Sequence, residues 1–421
     1  MRKQALRVPR PPSSGLPQVV GEFMSDVKRD KNFNDLVTAV QEAKANLERF
    51  IEPGKSRLLS PRNQLVVLRK WNSYTPILPA EKDEVQRKGG GYFIRVGQTG
   101  IVVDPGFNFV EHFLRAGFKL DDIDHILVSH AHNDHTVELE GIFSLLYRRN
   151  RKSVRPKRVK LYLNLGAFKK FAGYFDLANP RRKDYIERIV MLNECQLVQV
   201  DEGIQLLTSR VKHHEMITKK YALGFTLCIT AGSQPRKVLN FTCDTGWDDS
   251  VTEVNKRVAD DNHIDKTDIL IAHMGTVDPR ELEFDANKTF LQNKKCLNDH
   301  HLGLAGTVAA IHFWQPELVL LSEFGEEMCW VRHELAAGLA KKMQRAVLAT
   351  DLNFRVDLDT LRVFSFNKRS FCCPSRMETL CDKDGQLYFI DTDGLRSSER
   401  KALPSSLGTK ISPWEKQPAG R

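Results

Sequence analysis

Apolar and polar positions along the chain follow two rhythms. Between about Val19 and Ile51, Phe23, Val27, Leu36, Ala39, Val40, Ala43 and Leu47 recur at three- and four-residue steps. That spacing predicts amphipathic helix. From Gly89 onward, short apolar runs alternate with polar turns. YFIRV and GIVVDPG, joined by Gly97-Gln98-Thr99-Gly100, read as a hairpin. FVEHFLRAGF and VELEGIFSLLYRR have helical spacing and flank the strand-like HILVS. KLYLN, GIQLLTSRV, GFTLCIT, KVLNFTC, DILIAHM and LVLLSEF read as largely buried strands, and TVAAIHFW and MCWVRHELAAGLAKKMQRA as helices. Strands interleaved with helices predict an α/β protein with helices covering sheet faces. Beyond about residue 346 the pattern becomes alternating short strands, FRVDLDTLRVFSF and LYFID.

These rhythms divide the chain into a disordered Pro/Ser/Arg-rich start (1–17), a helical N-terminal extension (18–70) and a main α/β domain (71–345). A small β-rich C-terminal extension (346–395) and a disordered Ser/Pro/Lys tail (396–421) follow. A length of 421 residues agrees with two to three domains at about 150 residues each. With 41% hydrophobic and 28% charged residues, the composition excludes a collagen-like, coiled-coil or wholly disordered chain. No run approaches the roughly 20 apolar residues that cross a bilayer, so no membrane partner is expected. The basic start MRKQALRVPRPPSSG lacks the apolar core of a secretory signal, and eight scattered cysteines do not suggest a disulfide scaffold. The expectation is a soluble, reduced, cytoplasmic protein, with a homodimer left open. A net charge of +10 favours anionic partners, and residues 148–160 hold eight basic residues and no acid.

HILVS runs directly into His130-Ala131-His132-Asn133-Asp134-His135. Imidazoles and a carboxylate in one loop suit zinc, manganese or iron. Residues at i and i+2 of an extended loop can converge on one ion, while the Asp-His pair, displaced by the next helix, aims at a second. Two ions about 3.5–4 Å apart can clamp a nucleophile and a departing oxygen.

HAHNDH resembles the HxHxDH signature of metallo-β-lactamase-fold metallohydrolases, and the order of elements is similar from about Gly89 to Met343. The resemblance is to the branch containing phosphodiesterases and RNase Z-like nucleases. It implies an αββα sandwich, placed at 71–345, with a metal site between two sheets at one edge. It implies two divalent ions, zinc in the first instance with manganese or iron as alternatives. One ion would be held by His130, His132 and a histidine after LLTSRV, either His213 or His214, of which His214 is preferred. Asp134 and His135 would hold the other, with Asp244 bridging in the place of the family's GDTG aspartate, where Cys243 replaces the usual glycine. Asp104 matches an aspartate that supports the metal loop. The last ligand departs from the family pattern. Where a histidine is usual, LVLLSEF places Glu323, and HHLGLAGT offers His301 as the alternative ligand or as a proton donor near the scissile bond. His273 reads as a core histidine more than a functional one, His312 and His333 as helix residues, and Cys372, Cys373 and Cys381 fit no zinc spacing.

The expected mechanism has a hydroxide shared by the ions and oriented by Asp134 attack phosphorus, while His301 assists the leaving oxygen. Positive charge and the HLGLAGT element favour a nucleotide or RNA phosphodiester. A long Gly-Pro arm is absent, and 56 residues between Asp244 and His301 are too few for a large inserted domain. A small nucleotide is therefore as compatible as a polymer. The rivals are a small-molecule ester, lactone or thioester hydrolase, and a metal-bearing regulatory module without turnover.

Overall fold

The computed structural model describes residues 16–56, 63–70, 89–151, 153–176, 184–215, 222–230, 235–328, 331–366, 376–381, 387–391 and 409–410. Two helices come first, α1 (Leu16–Arg29) and α2 (Lys31–Glu48). Asp30 separates them: its backbone is extended, and its carboxylate accepts from the N–H groups of Asn32 (2.8 Å) and Phe33 (3.4 Å), satisfying donors that a helix start leaves unpaired. The three- and four-residue spacing thus forms helix. Val19, Phe23, Leu36, Val40 and Leu47 nevertheless stay exposed, and no residue of α2 is buried. Met1–Glu52 forms one unit and Pro53–Arg421 a second.

The second unit is built on two sheets. In chain order come β1 (Gln64–Val67), β2 (Tyr92–Val96), β3 (Thr99–Val103), β4 (His125–Val128), β5 (Val159–Leu163) and β6 (Ile186–Met191). They are followed by β7 (Leu197–Asp201), β8 (Ile204–Arg210), β9 (Leu223–Ile229), β10 (Lys237–Phe241), β11 (Ile269–His273), β12 (Leu318–Ser322) and β13 (Ala346–Ala349). The last are β14 (Arg355–Asp357), β15 (Val363–Phe366), β16 (Arg376–Cys381), β17 (Leu387–Asp391) and β18 (Thr409–Lys410). The first sheet has the order β18-β17-β16-β15-β14-β1-β2-β3-β4-β5-β6, and the second β13-β12-β11-β10-β9-β8-β7. Within them β3 to β6 and β10 to β13 run parallel, so their carboxyl ends share an edge.

Alternation along the strands separates two cores. Tyr92, Ile94, Ile101, Val103 and Leu127 of the first sheet pack against Phe225, Leu227, Leu239, Phe241, Ile271 and Leu320 of the second. The opposite faces meet helices. Phe93 turns outward onto Phe113 and Phe118, at ring distances of 5.1 and 4.6 Å; Phe113 belongs to α3 (Phe109–Arg115). After the short α4 (Asn133–Thr136), α5 (Glu138–Asn150) buries Leu139, Ile142, Phe143 and Leu146; α6 (Leu165–Lys170) and α7 (Ala172–Phe175) follow. On the second sheet, Leu270, Val319 and Leu321 pack with Val258 of α8 (Asp249–Asp261), Ile311 of α9 (Leu304–Trp314) and Leu339 of α10 (Arg332–Met343). The layers are helix, sheet, sheet, helix, as the resemblance implied.

Two expected boundaries move. Gln64–Val67 is not part of a helical extension: it is a strand, antiparallel to both β2 and β14 inside the first sheet. At the other end β13 completes the second sheet, and β14 to β18 continue the first, so the residues beyond 346 extend the sandwich. The predicted disordered ends lie outside the described residues apart from Leu16, Pro17 and Thr409–Lys410, as do Cys372 and Cys373. Among the described residues, no helix is long and apolar enough to cross a membrane.

Candidate metal centre

At the shared carboxyl edge, β3 delivers Asp104, β4 the HAHNDH loop, β10 Asp244, β11 His273 and β12 Glu323. Asp104, Cys243 and Glu323 leave their strands in the left-handed region, at φ 49°, 51° and 57°. Glycine accepts such angles without strain, which accounts for the glycine usual where Cys243 stands. Strain of this kind persists only where surrounding structure holds it in place. Gly106 is needed for another reason: a Cβ there would sit 1.7 Å from the Asp134 carbonyl oxygen.

Two donor sets result. In one, His130, His132, His213 and Asp244 each offer an atom, all within 4.8 Å of one another; in the other, Asp134, His135, Asp244 and Glu323 do the same. His130 Nε2 and His213 Nε2 lie 3.1 and 3.2 Å from His132 Nδ1. His135 Nε2 lies 3.6 Å from Asp134 Oδ2, 3.3 Å from Asp244 Oδ2 and 3.4 Å from Glu323 Oε2. Asp244 Oδ2 is also 3.5 Å from His130 Nε2, so one oxygen faces both sets.

The sequence preference for His214 is corrected. His213 is buried and joins the cluster, whereas His214 is exposed. An antiparallel bridge between Lys212 and Gly246 fixes the parity of this extended segment, so consecutive side chains point to opposite sides. Nδ1–H of His213 donates to the His300 carbonyl at 2.8 Å, leaving Nε2 free to face the site. Glu323 enters a donor set, whereas His301 stands at the mouth, its side chain 33% exposed and Nδ1 3.8 Å from Asp244 Oδ2. His273 is more than a packed core residue. Its Nδ1 lies 3.2 Å from Asp244 Oδ1 and 3.1 Å from Glu323 Oε1, and its Nε2 meets Tyr92 Oη at 3.2 Å. His312 and His333 lie exposed on α9 and α10 and belong to neither set.

Asp104, together with several residues that sequence reasoning passed over, holds the donors in place. Asp104 accepts from Ser129 N–H (2.7 Å), Ser129 Oγ (2.6 Å) and His135 Nδ1 (3.0 Å). The peptides around Ala131, between the two histidines, are gripped from both sides: Ala131 N–H donates to Glu215 at 3.0 Å, and Lys170 Nζ donates to Ala131 O at 2.8 Å. Lys170 also reaches Asn133 Oδ1 and Thr136 Oγ1, at 2.7 and 2.6 Å. Burial lowers its ammonium to about 8, with Asp134 and Glu215 acting the other way. Arg69, fully buried, lies 3.2 Å from Glu323 Oε1 and donates to the Asp134 carbonyl at 2.8 Å.

The donor chemistry fits divalent ions. Burial, aided by neighbouring imidazoles, brings His132 down to about 4 and depresses His130 strongly, and burial lowers His213 too. All three are therefore held neutral, the form that binds a metal. His135 and His273 behave in the opposite way. Burial would lower them, but the negative charge of Glu323 and Asp244 raises both, the electrostatic mark of a carboxylate-rich pocket. No hydrogen bond of acceptable geometry among the described residues reaches His135 Nε2 or Glu323 Oε2, both buried. Buried polar atoms left this way, converging on one point, are what a cation would satisfy.

An αββα sandwich with histidine and aspartate donors at its parallel-strand edge defines the metallo-β-lactamase class. Residues 99–322, more than half of the chain, match the family described as beta-lactamase superfamily domain, and the chain belongs to that family. It is 39% identical over 56 residues to ribonuclease Z of Streptomyces coelicolor (13% of this chain, 19% of that one). It is 29% identical over 140 residues to ribonuclease Z of Brevibacillus brevis (33% and 42%). The chain thus spans about a fifth and about two fifths of the length of these relatives. Among solved structures, human tRNase Z, short form, aligns with a TM-score of 0.45 and 15% identity, covering 70% of this chain and 99% of that one.

Proposed function

We propose that the protein is a metal-dependent phosphodiesterase of nuclease type, acting on RNA. The observation that carries the reading is the pair of donor sets meeting at Asp244 Oδ2, with buried atoms of His135 and Glu323 left for a cation. The ribonuclease Z matches support the choice of substrate. His130, His132, His213 and Asp244 would hold one ion, and Asp134, His135, Asp244 and Glu323 the other. Bound there, two divalent ions supply polarisation of a phosphate and activation of water.

The chain's own groups do the rest. Asp134, 9% exposed, is the donor nearest solvent in its set, and its carboxylate orients the attacking water. His301, at the mouth of the site, would hand the leaving oxygen a proton. Its loop is fixed by Gly275 N–H donating to the Leu302 carbonyl at 3.0 Å, and a Cβ on Gly275 would come within 2.8 Å of His301 Cβ. The basic run lies far from the reacting bond: α5 carries it away from the metal loop over 13 residues, about 20 Å at 1.5 Å per residue. Arg149 and Lys157 pair with Asp121 and Asp124, while Arg148, Arg151, Arg155 and Arg158 remain exposed. Only an extended substrate reaches both places, which favours a polynucleotide over a small nucleotide.

Hydrolysis of bis(p-nitrophenyl) phosphate and of single-stranded RNA by the purified protein with Zn²⁺ or Mn²⁺, beside Asp134→Ala, tests this. Turnover abolished in the variant is expected, with RNA binding that weakens steeply as salt rises. A protein shown to hold two ions that cleaves neither substrate would sink the reading and turn attention to lactones and thioesters.

A further inference from the structure

The two donor sets are unlike in chemistry. The first offers three imidazole nitrogens and one carboxylate oxygen, the second one imidazole nitrogen and three carboxylate oxygens. Imidazole suits zinc, whereas carboxylate oxygen suits harder ions of the Mn²⁺ or Mg²⁺ kind. We propose that the centre is a mixed-metal one, with zinc in the His130–His132–His213 half and Mn²⁺ in the Asp134–His135–Glu323 half, and that Glu323 and Arg69 set the difference. The inference rests on the metal-dependent reading above.

Arg69 is the strongest argument. Its guanidinium is wholly buried, 3.2 Å from Glu323 Oε1, and donates to the Asp134 carbonyl at 2.8 Å, so one cation ties together two residues of the oxygen-rich half. A histidine at position 323, as the family pattern would have it, would set an imidazole against that guanidinium and leave a buried charge unpaired, which is strongly unfavourable. Arg69 therefore holds the position for a carboxylate. His273 does the same from the other side, with Nδ1 at 3.1 Å from Glu323 Oε1. The backbone of Glu323 accepts a left-handed φ of 57° to place the carboxylate there. Arg69 also offsets one of three negative charges in this half, leaving the excess that a divalent ion balances.

Zinc outcompetes manganese at most sites of equal geometry, so the quantity that discriminates is the ratio of the two affinities in each half. Full-length protein, stripped with a chelator, is reloaded with free zinc buffered low and Mn²⁺ in excess, then desalted for elemental analysis and electron paramagnetic resonance. One zinc and one manganese per chain are expected. Glu323→His should lower manganese retention at least about tenfold relative to zinc, the lower end of what a changed metal environment costs. Glu323→Gln, closer in shape, should weaken only the second ion and keep the first zinc, and it serves if the histidine variant does not fold. Two zincs in the wild type under these conditions, or unchanged manganese retention in both variants, overturns the proposal. Phosphodiester turnover by a two-zinc protein would refute the mixed centre and leave the proposed function standing. A zinc–manganese protein that cleaves no phosphodiester would do the reverse.

Discussion

Asp104→Asn tests how the metal loop is held. The carboxylate accepts from Ser129 N–H and Ser129 Oγ, and its Oδ2 lies 3.0 Å from His135 Nδ1. An asparagine keeps one oxygen, which the Ser129 N–H occupies at 2.7 Å, and turns an NH₂ group toward His135. Nδ1 must then accept, which moves the imidazole proton to Nε2, the atom facing Asp134, Asp244 and Glu323. A protonated nitrogen cannot ligate. Restoring the binding tautomer leaves a buried Nδ1–H against an amide N–H, an unsatisfied pair costing about 1–3 kcal/mol. At 1.4 kcal/mol per decade, the second ion binds about 5- to 150-fold more weakly, in line with the 10–100-fold typical of such supporting groups. Titration of the stripped protein with a coloured zinc indicator reads this directly: the first equivalent should bind as in the wild type and the second should weaken. Two equivalents bound within about threefold of wild type would refute the tautomer argument.

Three further outcomes follow from the geometry. Lys170→Met removes donors to Ala131 O, Asn133 and Thr136 and should loosen zinc binding by about 10–100-fold, measurable by competition with a chelator, with partial recovery in Lys170→Arg. Gly275→Ala pushes against His301 Cβ and should lower kcat on RNA while elemental analysis finds wild-type metal content; loss of metal would place the effect elsewhere. Asp124 is pulled below the usual carboxylate range: burial works against this, but Lys157 and Lys55 outweigh it. Its contribution to stability is therefore present above the unfolded pKa near 4 and is lost as pH falls through the lower folded value. Asp124→Asn should cost about 1 kcal/mol at neutral pH and progressively less as pH falls below about 4, read from urea unfolding at each pH.

The parts of this site that lie together in the chain were legible, and those set by distant pairing were not. HAHNDH carries four donors in six residues, and its place after a buried strand needs no tertiary knowledge. His213 and His214 are neighbours, and only the bridge from Lys212 to Gly246 decides which faces inward. Arg69 escaped notice because QLVV is too short a run to tell strand from helix, and its partners β2 and β14 come from either end of the sandwich. Lys170 follows Lys169 on α6 and reads as surface charge until the loop it grips is placed beside it. The strands after residue 346 looked separate because an alternating pattern says nothing of which sheet edge receives it.

The centre straddles the sandwich. His130 to His135 follow a strand of the first sheet, while His213, Asp244 and Glu323 follow strands of the second. During synthesis the HAHNDH loop leaves the ribosome nearly two hundred residues before Glu323, an interval of about 10–40 s at 5–20 residues per second. The imidazole-rich seat has all its donors once Asp244 emerges; the oxygen-rich seat has its own only after Glu323, and its Arg69 brace waits there from the start. The order in which the seats become complete is therefore written in the order of residues, and a cation held in the second would join Glu323 of the late half to His135 of the early half.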